Sequence, residues 1–144
     1  LIYSKILPSK LLHLVHKLED ISSAPIDKGL ARINVVPDEE FLQLATLKMD
    51  KGKTFKPHKH IYKKGEQKVI AQESWIVIKG SVKVIMYDLD DTIIDEVILA
   101  AGDCSMTFAG GHNYVIQESD TIVYEYKTGP YKGIKSDKVL LNEI

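Results

Sequence analysis

From Arg32 onward, apolar residues come in short alternating runs separated by turn-forming residues. Alternation with a period of two is the mark of strands with one buried face. It predicts strands at about Arg32–Val36, Phe41–Met49, Thr54–His60, Glu73–Ile78, Ser81–Tyr87, Ile93–Leu99, Ser105–Phe108, Asn113–Gln117 and Thr121–Lys127. The breaks carry turn chemistry: Lys51-Gly52-Lys53, Lys79-Gly80, Asp88 to Thr92, Ala101-Gly102-Asp103 and Glu118-Ser119-Asp120. The first part of the chain has a different texture. Leu11, Leu14, Val15 and Leu18 fall at helical spacing behind Pro8-Ser9, which predicts an amphipathic helix over Pro8 to Ile21. His13 and His16 read as ordinary flank residues of that helix. Many closely spaced strands with one helix, and no helical crossovers, predict an all-β sandwich or barrel.

Length and charge narrow the class. The chain has 144 residues, enough for one domain with a real core. Its 19 basic and 20 acidic residues nearly cancel, which argues against a nucleic-acid protein held by bulk charge. No apolar run approaches a membrane span, and no secretory signal is visible, so the expected location is the cytoplasm. The single cysteine, Cys104, excludes an intrachain disulfide and cysteine-rich zinc sites. It reads as a small buried hydrophobe at a strand start.

Three of the five histidines lie in the β region. His58 and His60 are two apart on a predicted strand, so they point the same way, about 6–7 Å apart. Glu73 opens the next convincing strand, and His112 follows Gly110-Gly111. Such residues can share one metal ion.

Those residues sit in a pattern. Gly52-Lys-Thr-Phe-Lys-Pro-His58-Lys-His60 reads G-x5-H-x-H, and Glu73 to Gly80 reads E-x6-G. Together they resemble the first motif of the cupin superfamily. Gly102-Asp103 followed by Phe108-Ala-Gly-Gly-His112 resembles the second. The likeness covers roughly Phe41 to Lys127. It implies an all-β fold, a single cupin-type jelly-roll barrel (double-stranded β-helix) with a short N-terminal α-helix. The expected layout is a helix and linker over 1–30, the barrel over 31–128, and a segment over 129–144 packed on the barrel or on a dimer partner. The likeness also implies His58, His60, Glu73 and His112 as metal ligands. Twelve residues separate His60 from Glu73, against three or four usual in the family. Either a loop is inserted there or Glu66 supplies the carboxylate; the spacing to Gly80 favours Glu73.

Imidazoles with one carboxylate suit zinc, iron, nickel or manganese, so the expected cofactor is one divalent transition metal. Trp75 shares a strand face with Glu73, and Tyr114 shares one with His112. An aromatic wall suits a sugar packed on Trp75, although aromatic residues fill small barrels whatever their function. The inserted stretch carries Lys63, Lys64 and Lys68, which could meet an anionic ligand or be a solvated loop. Arg32, the one arginine, could fork onto an anion or form a salt bridge. Glu66, Tyr114 and Tyr124 are the candidate acid/base groups. The function expected is a metal-binding cupin acting on a small polar or carbohydrate-derived molecule by isomerisation or epimerisation. An Fe(II)-dependent dioxygenase and a non-catalytic binding or sensor module are the alternatives. The expected partners are a small-molecule ligand and a second copy in a homodimer, with no nucleic acid and no membrane.

Overall fold

A computed structural model describes residues 1–60, 62–63, 66–130 and 138–140, with side chains for 1–59 and 71–130. Its elements in chain order are β1 (Ile2–Tyr3), β2 (Leu11–His13), α1 (Leu18–Ser22), β3 (Leu30–Asn34), β4 (Leu42–Met49), β5 (His58–His60), β6 (Tyr62–Lys63) and β7 (Glu66–Ile70). They continue with β8 (Glu73–Lys79), β9 (Ser81–Tyr87), β10 (Ile93–Ala100), β11 (Cys104–Thr107), β12 (Gly111–Ile116), β13 (Thr121–Thr128) and β14 (Lys138–Leu140).

Ten strands form two five-stranded sheets, in the orders β10-β9-β12-β5-β14 and β11-β8-β13-β4-β3. Every pairing is antiparallel. The sequence explains the layering. In β8, Glu73, Trp75 and Val77 are buried while Ser74, Ile76 and Ile78 are half-buried, so alternation puts the first set between the sheets. Leu47, Met49, Val82, Val84, Ile116 and Val123 join Trp75 and Tyr114 there to form the main core. Burying such side chains is the main force holding the sheets together, at about 25 cal/mol per Å² of apolar surface.

The outer face of the second sheet has its own smaller core. Ile21 of α1 is wholly buried against Ala31 and Ile122, flanked by Ile33, Ile78 and Tyr124. Gly80 turns the chain between β8 and β9 at φ +89°, and a Cβ there would collide with Thr121. This is the glycine that closes the E-x6-G pattern.

Three expectations need correction. The helix covers only Leu18–Ser22; the chain before it forms a hairpin of β1 with β2. The backbone N–H of Ser4 donates to the Lys10 carbonyl, and its hydroxyl accepts from the N–H groups of Ile6 and Leu7. The helical stripe has nothing to pack on: Val15 and Leu18 are exposed, and periodicity without a face to bury does not hold a helix. The strand expected over Thr54–His60 is reduced to β5, with a lone bridge from Thr54 to Val115, because Pro57 has no N–H to give a ladder. Cys104 is exposed, on the edge strand β11.

The inserted stretch contributes backbone pairing of its own, β6 with β7, and β14 pairs with β5. No helix among the described residues is long and apolar enough to cross a membrane.

Candidate metal centre

The site is built where the two sheets face each other. β5 supplies His58 and β12 supplies His112, opposite one another in register. Glu73 comes from the start of β8 across the barrel. Gly110, at φ +82°, turns the chain into β12, and Tyr87 O would lie only 2.7 Å from a Cβ there.

Three donor groups converge. His112 Nε2 lies 2.7 Å from Glu73 Oε2 and 3.0 Å from His58 Nε2. All three groups are buried, and one ligand atom of each lies within 4.8 Å of the others. Two ligand atoms about 2.0–2.1 Å from one ion, roughly at right angles, are separated by close to 3 Å. The observed spacings fit that donor set.

The outer nitrogens of both imidazoles are engaged elsewhere. His58 Nδ1 is 3.2 Å from the Lys56 carbonyl, which can only accept, so Nδ1 carries the hydrogen in that contact. His112 Nδ1 lies 2.9 Å from Thr107 Oγ1 and 3.4 Å from the Tyr114 hydroxyl. When both Nδ1 atoms donate outward, both Nε2 lone pairs face Glu73. Two lone pairs and a carboxylate at such distances repel unless a cation lies among them. Outward Nδ1–H bonds of this kind also fix ligand tautomers. His58, Glu73 and His112 could therefore hold a metal ion.

A buried acid lies one row deeper. Across the inner face of the second sheet, Thr107, Glu73 and Lys127 are in register, and next to them Ser105, Trp75 and Glu125. Glu125 Oε2 accepts from Trp75 Nε1 at 2.8 Å, and Oε1 accepts from Arg32 at 2.9 Å. Arg32 also donates to Asn34 at 2.9 Å. Trp75 stacks on Tyr114 with ring centres 3.6 Å apart and planes 1° from parallel. Burial pushes the Tyr114 hydroxyl pKa well up, helped by the charges of Glu73 and Glu125, so it stays protonated at neutral pH.

Burial also raises the Glu125 pKa above its ordinary 4.5, with Glu73 adding to the rise and Arg32 opposing it. A raised folded-state pKa in an acid means that the native state holds its proton longer than the unfolded chain. Stability from this group is then full below the unfolded value and falls as pH rises through the folded one. Glu125→Gln, which cannot ionise, is expected to compare better with the parent at pH 7 than at pH 4. Urea unfolding at the two values measures this.

The structure brings together some of the expected site residues and separates others. His58, Glu73 and His112 meet. Tyr114 backs His112 from within the core. Trp75 is 2% exposed, with one face covered by Tyr114 and Phe55 edge-on at 5.9 Å, so it offers no open face to a sugar. Arg32 is committed to Glu125 and Asn34. Tyr124 lies on the opposite face of the sheet, its ring 5.6 Å from that of His16. The side chains of His60, Lys63 and Glu66, and all of Lys64, lie outside the described residues. Glu125 is a residue the expectations left out. Its signal is an acid next to Val123 on a strand face otherwise built for the core.

A groove of about 190 Å³ lies on the outer face of the second sheet, where Ser74, Met106 and Tyr126 are in register. Leu42, Ser74, Met106, Phe108 and Tyr126 line it, and it shares Glu73 and Thr107 with the donor cluster. Its lining is mostly apolar.

Two antiparallel sheets closed over a His/Glu/His cluster define a jelly-roll barrel with a metal-type centre. No protein-family model matches the chain. No curated protein matches it. Solved structures do. The chain is similar to the capsular polysaccharide assembling protein CapF from Staphylococcus aureus, at 16% identity and TM-score 0.67, over 94% of this chain and 34% of that one. It is similar to an uncharacterised conserved protein with a double-stranded β-helix domain from Klebsiella pneumoniae, at 14% identity and TM-score 0.62, over 88% and 95%. It is also similar to KdgF from Halomonas sp., at 20% identity and TM-score 0.58, over 75% and 86%. The fold is the cupin-type double-stranded β-helix.

Proposed function

We propose that this chain is a metal-binding cupin that isomerises or epimerises a small polar or carbohydrate-derived molecule, working in the cytoplasm as a homodimer. The observation that carries the reading is the convergence of His58 Nε2, His112 Nε2 and Glu73 Oε2 on one buried point. The H-x-H motif adds His60 to the donor set in this reading. A divalent zinc, iron, nickel or manganese ion bound there would act as a Lewis acid on a carbonyl oxygen.

The chain's own groups set the rest. Lys56 O and Thr107 Oγ1 hold the two imidazoles with their Nε2 atoms inward. Glu66 and the lysines at 63 and 64 belong to the β6–β7 insert and supply acid/base and anion-binding groups in this reading. Tyr114 keeps its proton and acts as a donor to its surroundings. The carbohydrate leaning draws support from CapF, a capsular polysaccharide assembling protein; a DMSP lyase, DddQ from Ruegeria pomeroyi, has a similar fold at 14% identity and TM-score 0.59.

Incubation of metal-loaded protein with a panel of keto and aldehydo sugars and sugar acids in D2O tests the reading. Proton NMR should show loss of the signal at the carbon beside the carbonyl, and His58→Ala should not catalyse it. Oxygen consumption with Fe(II) and no such exchange would replace this reading with a dioxygenase. Tight binding of a panel member without turnover would replace it with a sensor module.

A further inference from the structure

We propose that Lys127 binds an oxyanion of the ligand at the metal centre, which makes that ligand a small acid and not a neutral sugar. The inference rests on the metal reading above; it names the substrate class and a further binding residue for the same site. Lys127 sits on β13, and the antiparallel register pairs it with Glu73 on one side and Gln43 on the other. Residues directly opposite on antiparallel strands share a face of the sheet. Thr107, paired with Glu73 from β11, completes the row, and its hydroxyl reaches His112. That contact sets the row on the inner face, beside the three donors.

The inner face changes character along β13. Val123 pairs with Val77 and Leu47, and all three are apolar and wholly buried. Glu125, in the next row, is held by Arg32 and Trp75. The row after that, Gln43, Lys127, Glu73 and Thr107, is polar throughout. Gln43 Nε2 donates to the carbonyls of Pro37 and Glu40, Thr107 holds His112, and Glu73 is one of the donors. Lys127 is half-buried and brings the row its positive charge.

Charge decides what such a site accepts. Arg32 and Glu125 form their own ion pair at 2.9 Å. Lys127 offsets Glu73, and imidazoles that ligate a metal are neutral. A divalent ion among these groups therefore leaves the described part of the site with an excess of positive charge. In a low-dielectric cleft that excess favours an anion over a neutral molecule of the same size. Lysine suits the task, because its ammonium is a compact charge on a flexible stem. A lysine that served only to balance Glu73 would be replaceable by glutamine with no effect on ligand binding.

The test is isothermal titration calorimetry on protein loaded with whichever of zinc, iron, nickel or manganese it retains. Oxalate is the carboxylate probe and inorganic phosphate the phosphate probe; elemental analysis afterwards confirms that the metal stays bound. The loaded parent should bind at least one probe, and the one it binds names the oxyanion. Lys127→Gln should weaken that binding by about 10-fold or more, the loss of one charged hydrogen bond. Its metal affinity should be no lower than the parent's, because a positive charge beside the ion is gone. Lys127→Arg keeps the charge and should bind the probe more tightly than Lys127→Gln. Circular dichroism confirms that both variants are folded. A parent that retains no metal would overturn the metal reading and this inference together. A loaded parent that binds neither probe would overturn this inference alone, as would a Lys127→Gln variant that binds as the parent does or loses its metal.

Discussion

His112→Ala is expected to reduce metal affinity by at least about 100-fold, beyond the range found when only an outer partner of a ligand is lost. His112 is wholly buried and is the common neighbour of the other two donors, at 2.7 Å from Glu73 and 3.0 Å from His58. No other described side chain bridges them. The variant should also lose about 2–3 kcal/mol of metal-free stability, because removal of the wholly buried ring leaves a cavity between the sheets. Titration with a coloured metal indicator reads the first effect, and urea unfolding in chelator reads the second. Thr107→Val, which removes only the partner of Nδ1, should weaken metal binding by about 10-fold. An His112→Ala protein that binds metal as the parent does would contradict the assignment.

Trp75→Ala is expected to be the most destabilising single change, by about 3–5 kcal/mol. Trp75 is the largest fully buried side chain, and its loss leaves a cavity between the sheets. It also removes the N–H that satisfies Glu125 and the surface on which Tyr114 stacks. Trp75→Phe separates these effects. It retains most of the stack and loses the N–H, so it should cost about 1–3 kcal/mol, the usual penalty for an unsatisfied buried acceptor. Far-UV circular dichroism during urea unfolding reports both variants, since the chain has no other tryptophan. Equal costs for the two would mean that the hydrogen bond to Glu125, and not packing, dominates at this position.

The barrel strands were legible because alternation and burial coincide in them. From β8 to β13 each apolar run ends at a turn residue, and the sheets need both. The donor cluster was legible for a different reason. The likeness to the cupin motifs pointed to Glu73 and His112, and the spacing from Glu73 to Gly80 matched a strand ending in a left-handed glycine. The N-terminal segment was not legible. Leu11, Leu14, Val15 and Leu18 have helical spacing, but spacing reports a face only if something covers it, and here Ile21 alone is fully buried. Arg32 and Glu125 were opaque in another way. They are 93 residues apart, and only the β3–β4–β13 register brings them together. A salt bridge was one reading of Arg32, but its partner depended on tertiary pairing.

The central claim is that His58, Glu73 and His112 hold one divalent metal. Elemental mass spectrometry of untagged protein purified without chelators tests it most directly, with His58→Ala and Glu73→Ala beside the parent. The account predicts close to one zinc, iron, nickel or manganese per chain in the parent and loss of it in both variants. A parent that stays metal-free after reloading with each of the four, or variants that retain the parent's content, would contradict it.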